Sequence, residues 1–265
     1  MIEAVTFDVT HTLVHCPRLG EIYSEVLGRH GIEVAPAEAL RLIGLVWREM
    51  ACSADPSRDR FSAHPEGARG WWQRFLARFC EHLEAPPPSR FAAAELFHRF
   101  GGSEAWEVYP EVPEVLDALR ARGLRLGVIS NWDTRLPELL RQLDLARRLD
   151  VVAYSSAVGV EKPDSRIFRR ALRELGVEPR AALHVGDSRL EDLEGAIAAG
   201  MRALLLVRGS SAGAAGATGK AGEAAASPAT SAARPRSPRE PTGLRDLSPL
   251  PALITAGAAR GGASR

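Results

Sequence analysis

Between Val112 and Val207 the chain alternates short apolar runs with helical stretches closed by glycine, and this rhythm restricts the fold more than any other feature. Val112, Val115, Leu116 and Leu119 recur at helical spacing and lead to Gly123, after which "RLGVIS" reads as a strand. Leu136, Leu139, Leu140 and Leu143 mark a second helix before "VVAYS". Ile167, Phe168, Ala171, Leu172 and Leu175 mark a third, stopped at Gly176 ahead of "AALHVG". A last short helix ends at Gly200 before "ALLLV", Ala203 to Val207. Strands that are apolar throughout are buried on both faces, and strands joined by helices of about 10 residues pair in parallel. The expected fold is therefore α/β, a doubly wound (Rossmann-like) parallel sheet. Val5 to Asp8, "VTFD", has the same character and joins that sheet as its first strand.

The region from about Leu19 to Phe100 is helical instead. Leu40, Ile43, Trp47 and Met50 form one stripe, and Trp72, Phe75, Leu76, Phe79 and Leu83 another. Both stripes are read as helix core rather than ligand box. Pro86-Pro87-Pro88 interrupts them, because consecutive prolines remove donors and cannot continue a helix. A helical cap, residues 16–105, is thus inserted into an α/β core made of residues 1–15 and 106–208. Residues 209–241 are rich in Ala, Gly, Ser and Pro and cannot bury enough surface to order, so disorder is expected there. In the closing element, residues 242–265, Leu244, Leu247, Leu250 and Leu253 are spaced to pack back onto the core.

Four strand ends carry chemistry in order: "FDVTHT" with Asp8, "VISNWD" with Ser130 and Asn131, "GVEKPD" with Lys162, and "HVGDSRLED" with Asp187 and Asp192. In a doubly wound sheet all four converge on one crevice. The carboxylates Asp8 and Asp187 with a nearby backbone carbonyl suit Mg²⁺, a hard cation that also keeps close carboxylates ionised. Ser130 and the amides around Asn131 and Trp132 can donate to phosphate oxygens, and Lys162 adds positive charge. With that charge neutralised, Asp8 can attack phosphorus and form an aspartyl-phosphate. Taken singly, Ser130 also fits a strand-end turn, Lys162 a solvated loop and Asp187 a helix N-cap.

This order of motifs resembles the haloacid dehalogenase (HAD) superfamily, most specifically in "GVEKPDSRIFRRAL" and "HVGDSRLEDLEGAIAAGM". The resemblance covers the chain apart from residues 209–241. It implies Asp8 as nucleophile and metal ligand, and Thr10 as a metal ligand through its carbonyl. It also implies Ser130 as phosphate donor, Lys162 as charge stabiliser, and Asp187 with Asp192 as metal-site acids around Mg²⁺. One position departs from it. Phosphatases of this superfamily carry a second Asp two residues after the nucleophile, as acid and base; here that residue is Thr10, whose hydroxyl cannot serve at ordinary pH. A positioned acid/base is worth about 10²–10⁴ in rate. His11, the next residue, reads as a tip-of-turn histidine, with replacement of the missing acid as the alternative.

Composition narrows the remaining classes. A formal net charge of +1 gives no electrostatic case for nucleic acid or an anionic membrane. No apolar run approaches the roughly 20 residues of a membrane helix, and the N-terminus lacks the cationic start of a targeting peptide. Cys16, Cys52 and Cys80 are odd in number and unpaired in spacing, which suits buried thiols in an intracellular, by default cytoplasmic, setting; mitochondrion and nucleus stay open. His15, His64 and His184 are read as structural or surface residues. Two functions follow: a Mg²⁺-dependent hydrolase of a small phosphorylated metabolite, or a HAD-fold binding protein with little turnover in which Trp71 and Trp72 mark a partner surface. Dehalogenation is disfavoured, since that branch needs no Mg²⁺.

Overall fold

The structure, a computed structural model, describes residues 1–52, 55, 57–209 and 243–260, without the side chains of residue 52 and residues 256–260. The low-complexity stretch expected to be disordered lies outside the described residues except for Gly209.

Five strands form one parallel sheet: β1 (Ala4–Phe7), β4 (Arg125–Ser130), β5 (Val151–Tyr154), β6 (Ala182–Gly186) and β7 (Arg202–Leu205), in the order β5-β4-β1-β6-β7. A separate pair, β2 (Val14–His15) and β3 (Glu107–Val108), is antiparallel; at two residues each, these strands are too short to produce an alternation signal. The central position of β1 follows from its composition. Every residue of "AVTF" is buried, which suits a strand paired on both edges and covered on both faces.

Helices cover the two faces. On one, α5 (Val112–Ala121), α6 (Leu136–Gln142) and α10 (Leu250–Arg260) share a core with Phe7, Val128 and Val185. On the other, α8 (Ser165–Leu175) packs Ile167, Phe168 and Leu172 against Ala4, Ile129 and Ala182; the short helices α7 (Ser155–Val158) and α9 (Gly195–Ala198) lie in the same chain segment. α8 begins where the Asp164 side chain accepts the Arg166 amide, and ends at Gly176, whose φ of 64° an L side chain would resist. The closing segment docks as expected through Leu244, which bonds Leu205 and Val207 through its backbone, and through fully buried Leu247 and Leu250. Leu253 departs from that expectation: it is 47% exposed, because α10 turns only one flank to the core.

Between β2 and β3 lie four helices, α1 (Leu19–Arg29), α2 (Pro36–Cys52), α3 (Gly67–His82) and α4 (Arg90–Arg99), the last capped by Ser89, which accepts the Ala92 amide. They have a core of their own built from Val26, Leu42, Val46, Phe75 and Phe79. This helical block therefore does not depend on the sheet for its hydrophobic burial. Polar bonds tie it to the α/β part: the Asp59 amide donates to the Gly159 carbonyl at 2.9 Å, and Ser156 Oγ to Asp59 Oδ2 at 3.0 Å. Among the described residues, no helix is long and apolar enough to cross a membrane.

Candidate active site

In an open parallel sheet, the crevice lies at the C-terminal strand edge where chain connections diverge to opposite sides. Here that point is the end of β1, which lies between β4 and β6. Asp8 is the next residue. Its amide donates to the Val185 carbonyl at 2.9 Å, so the sheet ladder itself fixes where the carboxylate starts.

Three elements converge on that carboxylate. Ser130, the last residue of β4, donates through Oγ to Asp8 Oδ1 at 3.0 Å. Lys162 Nζ donates to Asp8 Oδ1 and to Asp192 Oδ1, each at 2.6 Å. The three side chains are 0%, 4% and 1% exposed for Lys162, Asp8 and Asp192, so these charges have left water and rely on one another. Asn131 holds the lysine in place: its Oδ1 accepts the Lys162 amide at 2.6 Å and its Nδ2 donates to the Lys162 carbonyl at 3.1 Å. The following peptide, Lys162–Pro163, is cis.

Asp192 is delivered by a single π-helical turn, Arg189–Glu194, a distortion often associated with functional sites. Its Oδ2 accepts the Ser188 amide at 2.8 Å. Its approach demands a glycine: a Cβ on Gly186 would come within 2.2 Å of Asp192 Cγ. From below, His184 Nε2 lies 3.2 Å from Asp192 Oδ1 and its Nδ1 lies 2.9 Å from Thr6 Oγ1. Burial holds the His184 imidazole below its ordinary pKa, although Asp192 pulls the other way. His184 is thus structural, as read from the sequence, with partners that the sequence did not reveal. It lies opposite Thr6 in the β1–β6 register and braces a site acid.

Asp187 is half-buried, and one oxygen each from Asp8, Asp187 and Asp192 lies within 4.8 Å of the others. Three carboxylates against one ammonium leave two formal negative charges, which a divalent cation would cancel. All donors are oxygens, as a hard ion requires. The donor set therefore fits such an ion.

The segment after Asp8 is a tight turn in which the Leu13 and Val14 amides donate to the Val9 carbonyl at 2.8 and 3.0 Å. His11 sits in it at φ 61°, a conformation in which histidine is enriched among non-glycine residues. Arg208 pins the turn by donating to the His11 and Thr12 carbonyls at 3.2 and 2.7 Å. Thr10 and His11 line, with Asp8, Ser130 and Asn131, the floor of a recess of about 150 Å³ roofed by the helical block.

The recess walls correct two expectations. Trp71 is buried and stacks in the helical core, so it is no partner surface. Trp72, its neighbour, instead lines the recess and donates through Nε1 to Asp133 Oδ2 at 2.9 Å. The aromatic stripes thus serve as core on one flank and as site wall on the other. The Trp132 amide, expected to face phosphate, donates to Ser155 Oγ at 3.0 Å. A further pair escapes sequence reading. Arg60 binds Glu161 through its amide and Nε, each at 2.7 Å, joining the helical block to the residue beside Lys162. The only hint lay in Glu161 belonging to the "EKPD" motif.

Comparison with known proteins places these features. A family model described as haloacid dehalogenase-like hydrolase matches residues 2–200. The human haloacid dehalogenase-like hydrolase domain-containing protein 3 is 36% identical over 212 residues, covering 78% of this chain and 82% of that protein. A phosphoserine phosphatase of Thermus thermophilus is 37% identical over 153 residues, 54% of this chain and 59% of its own. Among solved structures, an L-2-haloacid dehalogenase from Xanthobacter autotrophicus has a TM-score of 0.66 at 20% identity, with 96% and 99% of the two chains covered. The putative HAD-hydrolase YfnB of Bacillus subtilis, described as bound to magnesium, has a TM-score of 0.63 at 13% identity, with 77% and 88% covered.

Proposed function

Because the chain belongs to the haloacid dehalogenase-like hydrolase family, we propose that it hydrolyses a small phosphate monoester through Asp8. One observation carries this reading: Asp8 Oδ1 is held at once by Ser130 and Lys162, at the floor of a recess large enough for an organic group. A carboxylate so fixed points a lone pair without further ordering, the condition for efficient covalent attack.

Asp8, Asp187, Asp192 and the Thr10 carbonyl would hold Mg²⁺, which would neutralise charge on the phosphoryl oxygens. The magnesium named for YfnB and the phosphatase activity named for the Thermus relative support this choice. The acidic cluster also argues against halide displacement, which needs no divalent cation and would bring a carboxylate substrate toward three more. Asp8 attacks phosphorus, the ester P–O bond breaks with its electrons on the leaving oxygen, and that oxygen takes a proton from solvent or, where it serves as the acid, from His11. Water then attacks phosphorus, freeing phosphate and restoring the Asp8 carboxylate. Ser130 and Lys162 serve the phosphoryl group throughout, while Asn131 keeps Lys162 in register. Thr10 supplies no proton, so dephosphorylation is slow unless His11, which shares the recess floor, takes the acid/base role.

A panel of phosphate monoesters with Mg²⁺ tests the reading beside Asp8→Asn and His11→Ala. Turnover that disappears in Asp8→Asn supports it, and a further loss in His11→Ala assigns the proton carrier. Thr10 favours a second reading, a site that binds phosphate but scarcely turns over; a phosphorylated Asp8 without phosphate release would establish that one.

A further inference from the structure

Resting on the phosphatase reading, we infer that the alcohol released from the substrate carries a single aromatic ring, and that the recess above Asp8 is its binding site. The recess is unusual in who lines it. Four of the chain's five tryptophans, Trp47, Trp72, Trp106 and Trp132, face it, joined by phenylalanines such as Phe61 and Phe97. Cavities of about 150 Å³ with apolar walls take up a benzene ring. This one has that size and extends to the Asp8 side chain, so a ring held in it lies beside the carboxylate.

Several of the polar groups in these walls are already committed. Trp72 Nε1 donates to Asp133, and Trp106 Nε1 to the Phe100 carbonyl at 3.1 Å. Arg135 is held by both Asp133 oxygens and by the Phe97 carbonyl, with its guanidinium carbon 3.8 Å from the Phe97 ring centroid. Arg60 spends Nε and Nη2 on Glu161. Its Nη1 has no hydrogen-bond partner, but it is buried from solvent and the guanidinium lies 5.2 and 5.8 Å from the Trp47 and Trp71 rings. A sugar or glycerol moiety would therefore turn hydroxyls toward a largely aromatic wall, at a cost of about tenfold in affinity for each one left unpaired. A ring gains instead from desolvation and from edge and face contacts with the indoles.

The test compares 2-phenylethyl phosphate with glycerol 3-phosphate, both esters of primary alcohols, using the full chain and Mg²⁺. We expect kcat/KM about 30-fold or more in favour of the aromatic ester. Equal rates, or a preference for glycerol 3-phosphate, would overturn the inference. Binding is read separately in Asp8→Asn by tryptophan fluorescence during titration with 2-phenylethanol, which needs no phosphate chemistry. A saturable change supports the recess assignment even if neither ester is hydrolysed, in which case only the phosphatase reading fails; an unchanged spectrum sinks the assignment. Ala93→Leu, which narrows the recess, should weaken 2-phenylethanol binding at least tenfold. Undiminished binding in a folded Ala93→Leu protein counts against the proposal, and if that variant does not fold, exclusion of 2-phenylethanol by excess glycerol in Asp8→Asn does the same.

Discussion

The two sides of the recess are built on opposite principles. At and beneath its floor, Asp8, Lys162 and Asp192 are charges withdrawn from water: Lys162 lies 2.6 Å from each carboxylate, and Ser130, Ser188 and His184 brace the acids. At its roof, indole and phenyl rings supply the surface, and charges such as Arg60 and Arg135 are paired away into the joints between the helical block and the sheet. The floor is made of parts that fail together when one is removed, whereas the roof is made of contacts that can be changed one at a time. Fixed chemistry at the floor with adjustable selection at the roof is what such a division permits.

The sharpest way to break the comparison is Lys162→Met. It strands two buried carboxylates, and we expect turnover to vanish and stability to fall by about 5 kcal/mol in denaturant unfolding. Mg²⁺ should raise the melting temperature of this variant more than that of the parent, since ion and ammonium compensate the same acids. A Lys162→Met protein as stable as the parent would show that the floor is not coupled.

Next in size is the joint. Arg60→Ala leaves Glu161, whose side chain is 3% exposed, without its buried partner and should cost about 3 kcal/mol. Adding Glu161→Gln should recover part of that loss in a double-mutant cycle. Additive losses would mean that the pair does not link the two regions. At the roof, Trp72→Phe removes the 2.9 Å bond to Asp133 while keeping a ring, and a cost of only about 1–2 kcal/mol is expected. A separate check on access to the recess concerns Cys16, which also lines it. Burial pushes its thiol up to about 12, so at about pH 8 the thiolate is scarce and alkylation should run about 10³-fold slower than for an ordinary cysteine. The labelling rate of the Cys16 peptide should rise about tenfold per pH unit; rapid labelling at neutral pH would mean that the recess stands open.

Much of the floor was legible in the sequence because parallel buried strands write themselves as apolar runs, and the residue after each run lies at the sheet edge. That logic brings Asp8, Ser130, Lys162, Asp187 and Asp192 together without coordinates. It fails for His184, which sits inside a strand, where only the register opposite Thr6 reveals a partner. It fails again for Trp71 and Trp72. Successive helix positions point about 100° apart, so one can enter the core and its neighbour the recess, and periodicity does not say what waits on the second side. The Arg60–Glu161 joint, spanning 101 residues, leaves no local pattern at all. Leu253 was misjudged because leucine spacing marks a stripe without fixing its width.

The central claim is that Asp8 is the group that takes the phosphoryl. Mass spectrometry of protein mixed with a hydrolysed monoester and Mg²⁺, then quenched in acid, tests it directly. The account predicts one phosphoryl group on the peptide containing Asp8, long-lived because Thr10 cannot activate water and shortened by Thr10→Asp. A phosphoryl group on another residue, or turnover that continues in Asp8→Asn, would contradict it.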